Sequence, residues 1–158
     1  MANIKFTGID EYVRRLEGLS FYADKMIGEA VYEGAKIVAN ETKSALESLP
    51  VDNSTAKETR RSINELQKQG LIHSFGIAPL RRDGDFINVK TGFDGYNRLI
   101  TRNFPLGQPN VMIARSLESG TSFMPKNRVI SRATNRAKKA CEQAMKDSLE
   151  ENIQKLMK

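Results

Sequence analysis

An α+β fold is predicted for this chain: a small antiparallel sheet packed against two long helices, with short accessory helices. Three observations predict it. Apolar residues recur at helical spacing before Pro50 and again from Val129 to the end. Between these segments, Gly, Asp and Pro punctuate short runs rich in Ile, Phe and Val, the texture of strands. The 158 residues, 39% apolar and 28% charged, suit one domain spanning 1–158 with a real core and a large polar surface.

Residues 3–7 alternate like a short strand. After Gly8, Asp10 is placed to cap a short helix through Leu16, with a stop near Gly18. Ser20 or Asp24 then starts a much longer helix that ends before Pro50. Its stripe is Ile27, Val31, Val38, Ala45, Leu46 and Leu49, with Ile37 beside it. At 1.5 Å per residue this helix is about 40 Å long. Gly28 and Gly34, with Ala30 and Ala35, sit among the stripe positions. Each glycine costs about 1 kcal/mol against alanine in a helix. Either another element approaches closely there, or the helix simply tolerates them.

Residues 50–56 form a turn. Thr55 and Glu58 make the T-x-x-E pattern of a capping box, which predicts a polar helix over 57–70 ending at Gly70. Residues 71–80 and 85–94 read as two strands joined by a turn around 81–85. In the second, Ile87, Val89 and Phe93 share the face expected to be buried. Residues 94–110 form a long loop containing Pro105 and Pro109. Loops of this length in compact domains are commonly functional or disordered. Tyr96, Arg98, Arg102 and Phe104 are its candidate assembly residues, and ordering of the loop on assembly is expected. Asn110 is placed to cap a helix running to Ser119. The last helix spans Val129 to Met157, with Ala133, Ala137, Cys141 and Leu149 on its apolar side.

The net charge is +6, with an isoelectric point near 9.5. Such a chain lies beside nucleic acid or an acidic protein surface, or carries a Lys-rich solvated surface. The cations concentrate at Lys126, Arg128, Arg132, Arg136, Lys138 and Lys139, with no acid until Glu142. No aromatic is interleaved for base stacking, so sequence readout is not indicated. Non-specific phosphate contact, pairing with acids of a neighbouring subunit and a solvated helix face all fit.

Chemistry is sparse elsewhere. The single cysteine, Cys141, excludes an internal disulfide and suits a reducing compartment. It lies on the apolar side of a helix, as a small buried hydrophobe rather than a nucleophile. The single histidine, His73, falls inside a predicted strand as a hydrogen-bonded structural residue. One Cys and one His do not make a zinc site. Asp83, Asp85 and Asp94 lack calcium-loop spacing, and no G-K-[ST] follows Gly84, Gly92 or Gly95. No cofactor is expected, and no constellation supports catalysis. No signal peptide is expected either, since the N-terminal stretch has no apolar run. No stretch reaches the roughly 20 apolar residues of a membrane span.

The order of the pieces carries a resemblance. A short helix follows a glycine, and a long helix ends in a proline turn. Then come RRSI (Arg60 to Ile63), VKTGFDGYN (Val89 to Asn97) and ARSLESGTS (Ala114 to Ser122), and a proline-containing basic turn enters a last helix. This resembles the small tail-component family of long-tailed phages and prophages, also described as neck, head–tail joining or tail-completion proteins. The resemblance covers nearly the whole chain. The turn Glu118, Ser119, Gly120 and Thr121 is its most specific element. Members usually carry a Pro-Phe pair entering the last helix and another Pro soon after. Here MPKNRVISRA holds only Pro125, so the entry to the helix is expected to differ.

The resemblance implies a non-enzymatic structural role where a completed tail meets the head connector. Its implied partners are other phage neck and tail proteins. It implies a homo-oligomeric ring when assembled, hexameric by the sixfold symmetry of a tail, and a monomer in isolation. The implied location is the virion neck or tail, after a period in the bacterial host cytoplasm. The competing expectation is a basic nucleic-acid-binding module that uses residues 126–139.

Overall fold

The long helix before Pro50 begins well ahead of Ser20. In the computed structural model, which describes residues 9–54 and 61–157, α1 runs unbroken from Ile9 to Glu47. The predicted stop at Gly18 is overturned. A Cβ built there meets nothing within 4 Å, so Gly18 adds only the intrinsic cost of a helical glycine. Tertiary packing holds the helix around it. The last helix, α4 (Val129–Met157), lies antiparallel along α1. The Arg15 guanidinium donates to the Met157 carbonyl at the far end of the pair. Farther in, the Asn152 amide donates to Glu29 at 3.0 Å, and Arg136 pairs with Glu41 at 3.1 Å. The predicted strand at 3–7 lies outside the described residues.

Glycine sets how closely α1 is approached. A Cβ on Gly34 would sit 2.6 Å from Met145 Cγ and 2.9 Å from Cys141 Sγ, both on α4. One on Gly28 would sit 3.3 Å from the Leu80 side chain. Close approach is therefore the role of both residues. Met26, Ala30, Ala39, Ala133 and Ala137 are buried on the same two helices. The helix pair is thus seamed largely by small side chains.

The larger apolar side chains gather at one end of the pair. Leu46, Leu49, Ile63, Leu71, Ile113, Ala114, Leu117 and Met124 form the core, with Ile72, Phe93, Val129 and Ile130 packed against it. These residues come from the end of α1 and the turn after it, from Ile63 and α2 (Glu65–Ser74), from Phe93 in the strand-like middle, from α3 (Asn110–Ser119), and from the approach to α4 and its first turn.

α2 starts later than predicted. Thr55 and Glu58 lie outside the described residues, and the capping box is formed by Asn64 and Gln67 instead. The Asn64 side chain accepts from the Gln67 N–H at 2.8 Å, and the Gln67 side chain accepts from the Asn64 N–H at 3.1 Å. Asp52 ties down the segment just ahead of α2. The Arg61 N–H donates to Asp52 at 2.7 Å, and the Ile63 carbonyl accepts from the Asp52 N–H at 2.9 Å. Ile63 is thereby inserted into the core. α2 also runs through Gly70 to Ser74, which places Leu71 to Ser74 and His73 on a helix rather than a strand. A Cβ on Gly70 would lie 2.8 Å from both Asn97 Cβ and Asn110 Oδ1, so this glycine marks a contact and not a stop.

The strand-like middle is one hairpin with two short ladders. β1 (Phe75–Ile77) pairs antiparallel with β4 (Thr91–Phe93), with Phe75 opposite Phe93. β2 (Arg81–Asp83) pairs antiparallel with β3 (Phe86–Asn88). The predicted turn around 81–85 is narrower, because Arg81 to Asp83 join the ladder and Gly84 turns the chain at φ +63°. Pro79 lies in the gap between the ladders, where it has no N–H to contribute. Ile87, Val89 and Phe93 are half-buried, whereas Phe86 is 77% exposed. The hairpin lies against α1, and Arg82 pairs with Asp24 near its tip. The architecture is α+β, with the two long helices packed together.

Two glycine replacements separate intrinsic cost from packing. Gly18→Ala is expected to stabilise the protein by about 0.5–1 kcal/mol. Gly34→Leu is expected to destabilise it by about 1–3 kcal/mol through overpacking against Met145 and Cys141. Urea unfolding midpoints test both. Shifts in the same direction would sink the assignment of Gly34 to close approach.

Candidate functional site

The turn from Glu118 to Thr121 is a machined joint between α3 and α4. Gly120 closes α3, and its N–H donates to the Ser116 carbonyl at 2.8 Å. Its φ of +77° and ψ of 171° lie in a region essentially restricted to glycine. A Cβ there would also meet the Lys126 nitrogen at 2.8 Å. Thr121 and Met124 exchange backbone hydrogen bonds of 2.8 and 3.4 Å, and the Asn127 N–H returns to the Leu117 carbonyl at 2.7 Å.

Glu118 then reaches across the turn. Its carboxylate accepts from the Ile130 N–H at 2.7 Å, from the Ser131 N–H at 3.3 Å and from the Ser131 hydroxyl. These are free N–H groups of the first turn of α4, where a negative charge is favoured by the helix dipole. Gly120 thus closes one helix, and the Glu118 side chain caps the next. Pro125 lies inside the loop it spans, and α4 begins at Val129 without a Pro-Phe entry.

The basic residues fall on and just before the start of α4. Lys126, Arg128, Arg132, Arg136, Lys138 and Lys139 are all exposed. Arg136 pairs with Glu41, and Lys138 lies 4.0 Å from Glu142. Arg132 donates to the Arg128 carbonyl at 3.1 Å and to Asn127 Oδ1 at 2.5 Å. Among the described residues, Lys126, Arg128 and Lys139 have no acidic partner.

The segment 94–110 folds back on itself and is not an open loop. The Asn97 N–H donates to the Gln108 carbonyl at 3.0 Å, and the Asn110 N–H donates to the Gly95 carbonyl at 3.1 Å. Thr101 and Phe104 exchange bonds of 3.2 and 3.0 Å at its tip. Gly107, at φ +96°, lies so close that a Cβ would overlap the Asn97 carbonyl oxygen. Asn110 is not the predicted cap. Pro109 occupies that position, and Asn110, inside the helix, donates from its side chain to the Asp94 carbonyl at 2.9 Å. Tyr96, Arg98 and Arg102 are exposed, and Phe104 is half-buried.

The strongest feature of this segment escaped the residue patterns. Ile100, Leu106 and Val111 are 71%, 86% and 57% exposed, beside Tyr96 at 66%. Val111 lies off the α3 stripe of Ile113, Ala114 and Leu117, which is the sequence signal that separates it from the core. A cavity of about 560 Å³ lies between this segment and α2, with His73, Tyr96, Asn97 and Arg98 in its lining. The His73 ring is exposed, and its Nδ1 lies 2.8 Å from the Gln69 carbonyl oxygen.

Cys141 is half-buried against Met145, and desolvation pushes its thiol above the ordinary range. Among the described residues, no three His, Cys, Asp or Glu side chains are grouped to hold a metal ion. No helix among them is long and apolar enough to cross a membrane. Comparison with protein families, curated proteins and solved structures gives no significant match.

The joint makes a sharp prediction. Glu118→Ala is expected to cost about 1 kcal/mol, as loss of a helix cap does. Gly120→Ala is expected to cost about 1–3 kcal/mol from backbone strain. Thermal and urea unfolding measure both, and a neutral Glu118→Ala would remove the capping role.

Proposed function

We propose that this chain is a structural subunit of the head–tail junction of a long-tailed phage or prophage. In this reading it is a tail-completion or neck protein and has no catalytic role. It works by being built into a ring, hexameric under the sixfold symmetry of the tail, and remains a monomer until it meets its neck and tail partners.

One observation carries the reading. The segment from Tyr96 to Val111 is braced by backbone hydrogen bonds, yet it turns Tyr96, Ile100, Leu106 and Val111 outward. We read this braced backbone with four outward apolar side chains as a surface that a neighbour covers. The resemblance supports it independently. The Glu118 to Thr121 turn, the most specific of the shared elements, is a joint that fixes one helix against the next. A subunit that must present surfaces at set angles needs such a joint.

Two experiments test this. A density map of the particle neck is expected to contain the chain in a ring between connector and tail tube. Absence from finished particles would reduce the role to assembly factor or remove it. Ile100→Asp with Leu106→Asp is expected to leave the melting of the isolated subunit within about 0.5 kcal/mol of wild type, as surface changes do. The same pair should leave filled heads and separate tails unjoined. Normal yields of joined particles would overturn the assignment of this segment to assembly.

A further inference from the structure

The junction role leaves the charge on α4 unused. We propose that the basic face formed by Arg128, at the entry to α4, and by Arg132, Arg136 and Lys139 on it, headed by Lys126, contacts the phosphate backbone of double-stranded DNA without reading bases. The inference stands on this surface alone and does not rest on the junction reading.

Helical phase gathers the cations. Steps of four, four and three residues place Arg128, Arg132, Arg136 and Lys139 within about a quarter-turn of one another. Ala133 and Ala137, buried, lie about 100° and 140° round the helix from the centre of the stripe. From Arg128 to Lys139 the stripe covers about 16 Å of helix. That length matches about five successive phosphates of one strand at roughly 3.4 Å each.

The charges also run against helix stability. The first turn of α4 holds no acid, although the positive end of a helix dipole favours acids and disfavours cations. Glu118 supplies the one compensating carboxylate, and the N–H groups and hydroxyl of the first turn occupy it. The helix end itself is therefore filled, and what remains outward is its side. A local choice that opposes local stability points to a function for those side chains.

Neighbouring groups do little to quench the stripe. Glu41 engages Arg136, and Glu142 lies 4.0 Å from Lys138 at its edge. Arg132 is steadied by Asn127 and by the Arg128 carbonyl, both uncharged partners. Lys126, Arg128 and Lys139 have no acidic partner among the described residues.

A nucleic acid fits this face better than a protein does. Ser131, Asn135 and Gln143, which lie beside the cations, are exposed and polar. Protein interfaces centre on desolvated aromatic or aliphatic anchors and exclude charge from that centre. DNA interfaces are polar, wet and strongly positive. With no aromatic in 126–139 on which a base could stack, the contact is electrostatic.

The test is binding of a labelled random-sequence duplex by the purified chain, followed by fluorescence anisotropy from about 50 to 200 mM salt. The four cations not paired with an acid predict a log–log salt slope of about −3.6. Arg128→Gln with Arg132→Gln and Lys139→Gln is expected to flatten that slope to about −1 and to weaken low-salt binding at least tenfold. A charge-matched control away from this face, Lys25→Gln with Lys36→Gln and Lys155→Gln, is expected to bind within about threefold of wild type. Both variants are first matched to wild type in thermal unfolding. Equal losses in the two variants would assign binding to net charge and overturn the proposal. So would wild-type protein that fails to bind at low salt, the outcome expected if an acidic protein covers this face. A more than tenfold preference between A·T-rich and G·C-rich duplexes would overturn the absence of base reading.

Discussion

The carboxylate of Glu118 is the point on which the arrangement of the long helices depends. It belongs to α3, which is rooted in the core through Ile113, Ala114 and Leu117. It binds the first turn of α4, twelve residues farther along the chain. The direction in which α4 leaves the core is therefore fixed before α4 meets α1. The Asn127 to Leu117 backbone bond and the left-handed turn at Gly120 fix the same direction from the other side. Without this joint, α4 would enter from a nine-residue loop with few constraints, and its register against α1 would rest on small side chains alone.

That register matters because the two ends of the molecule are stabilised differently. Near α2 and α3, large aliphatic side chains remove much apolar area from water, at about 25 cal/mol per Å². Farther out, α1 and α4 meet through Ala30, Gly34, Cys141 and Met145, with less area and more shape. Small residues allow the backbones to come close, so dispersion contacts replace some of the missing area. The hairpin adds a second support along α1 through Leu80 and the Arg82–Asp24 pair.

The parts legible in the sequence are those governed by uninterrupted periodicity. α4 spans Val129–Met157 because its 3.6-residue pattern meets no interruption, and α3 ends before Gly120 because that glycine has the backbone angle of a stop. The misreadings share a cause. Gly18 and Gly70 look like stops by residue type, but one is a passive helix position and the other an opening for Asn97 and Asn110. A glycine's identity does not tell which of these it serves, since the deciding atoms come from distant segments. Asn64 was masked by the louder Thr55–Glu58 pattern, although the cap that forms depends on Ile63 being drawn into the core. At the candidate site, the run of cations was readable from residue order, whereas the E-S-G-T turn was singled out only by the resemblance. The outward Ile100 and Leu106 were not readable, because a folded-back loop has no period from which burial can be inferred.

The small-residue seam gives the helix pair a gradient of order. Local opening costs least where apolar contact is thinnest, and here that is the end marked by Arg15 and Met157. Tyr12, Val13, Leu16 and Phe21 stand exposed on that same end. A neighbour docking there would have to suppress fraying and lose part of its binding free energy as conformational entropy. A neighbour docking beside α3 would meet a surface already held still by Glu118. The chain thus has one surface held still and one that a docked neighbour would first have to order.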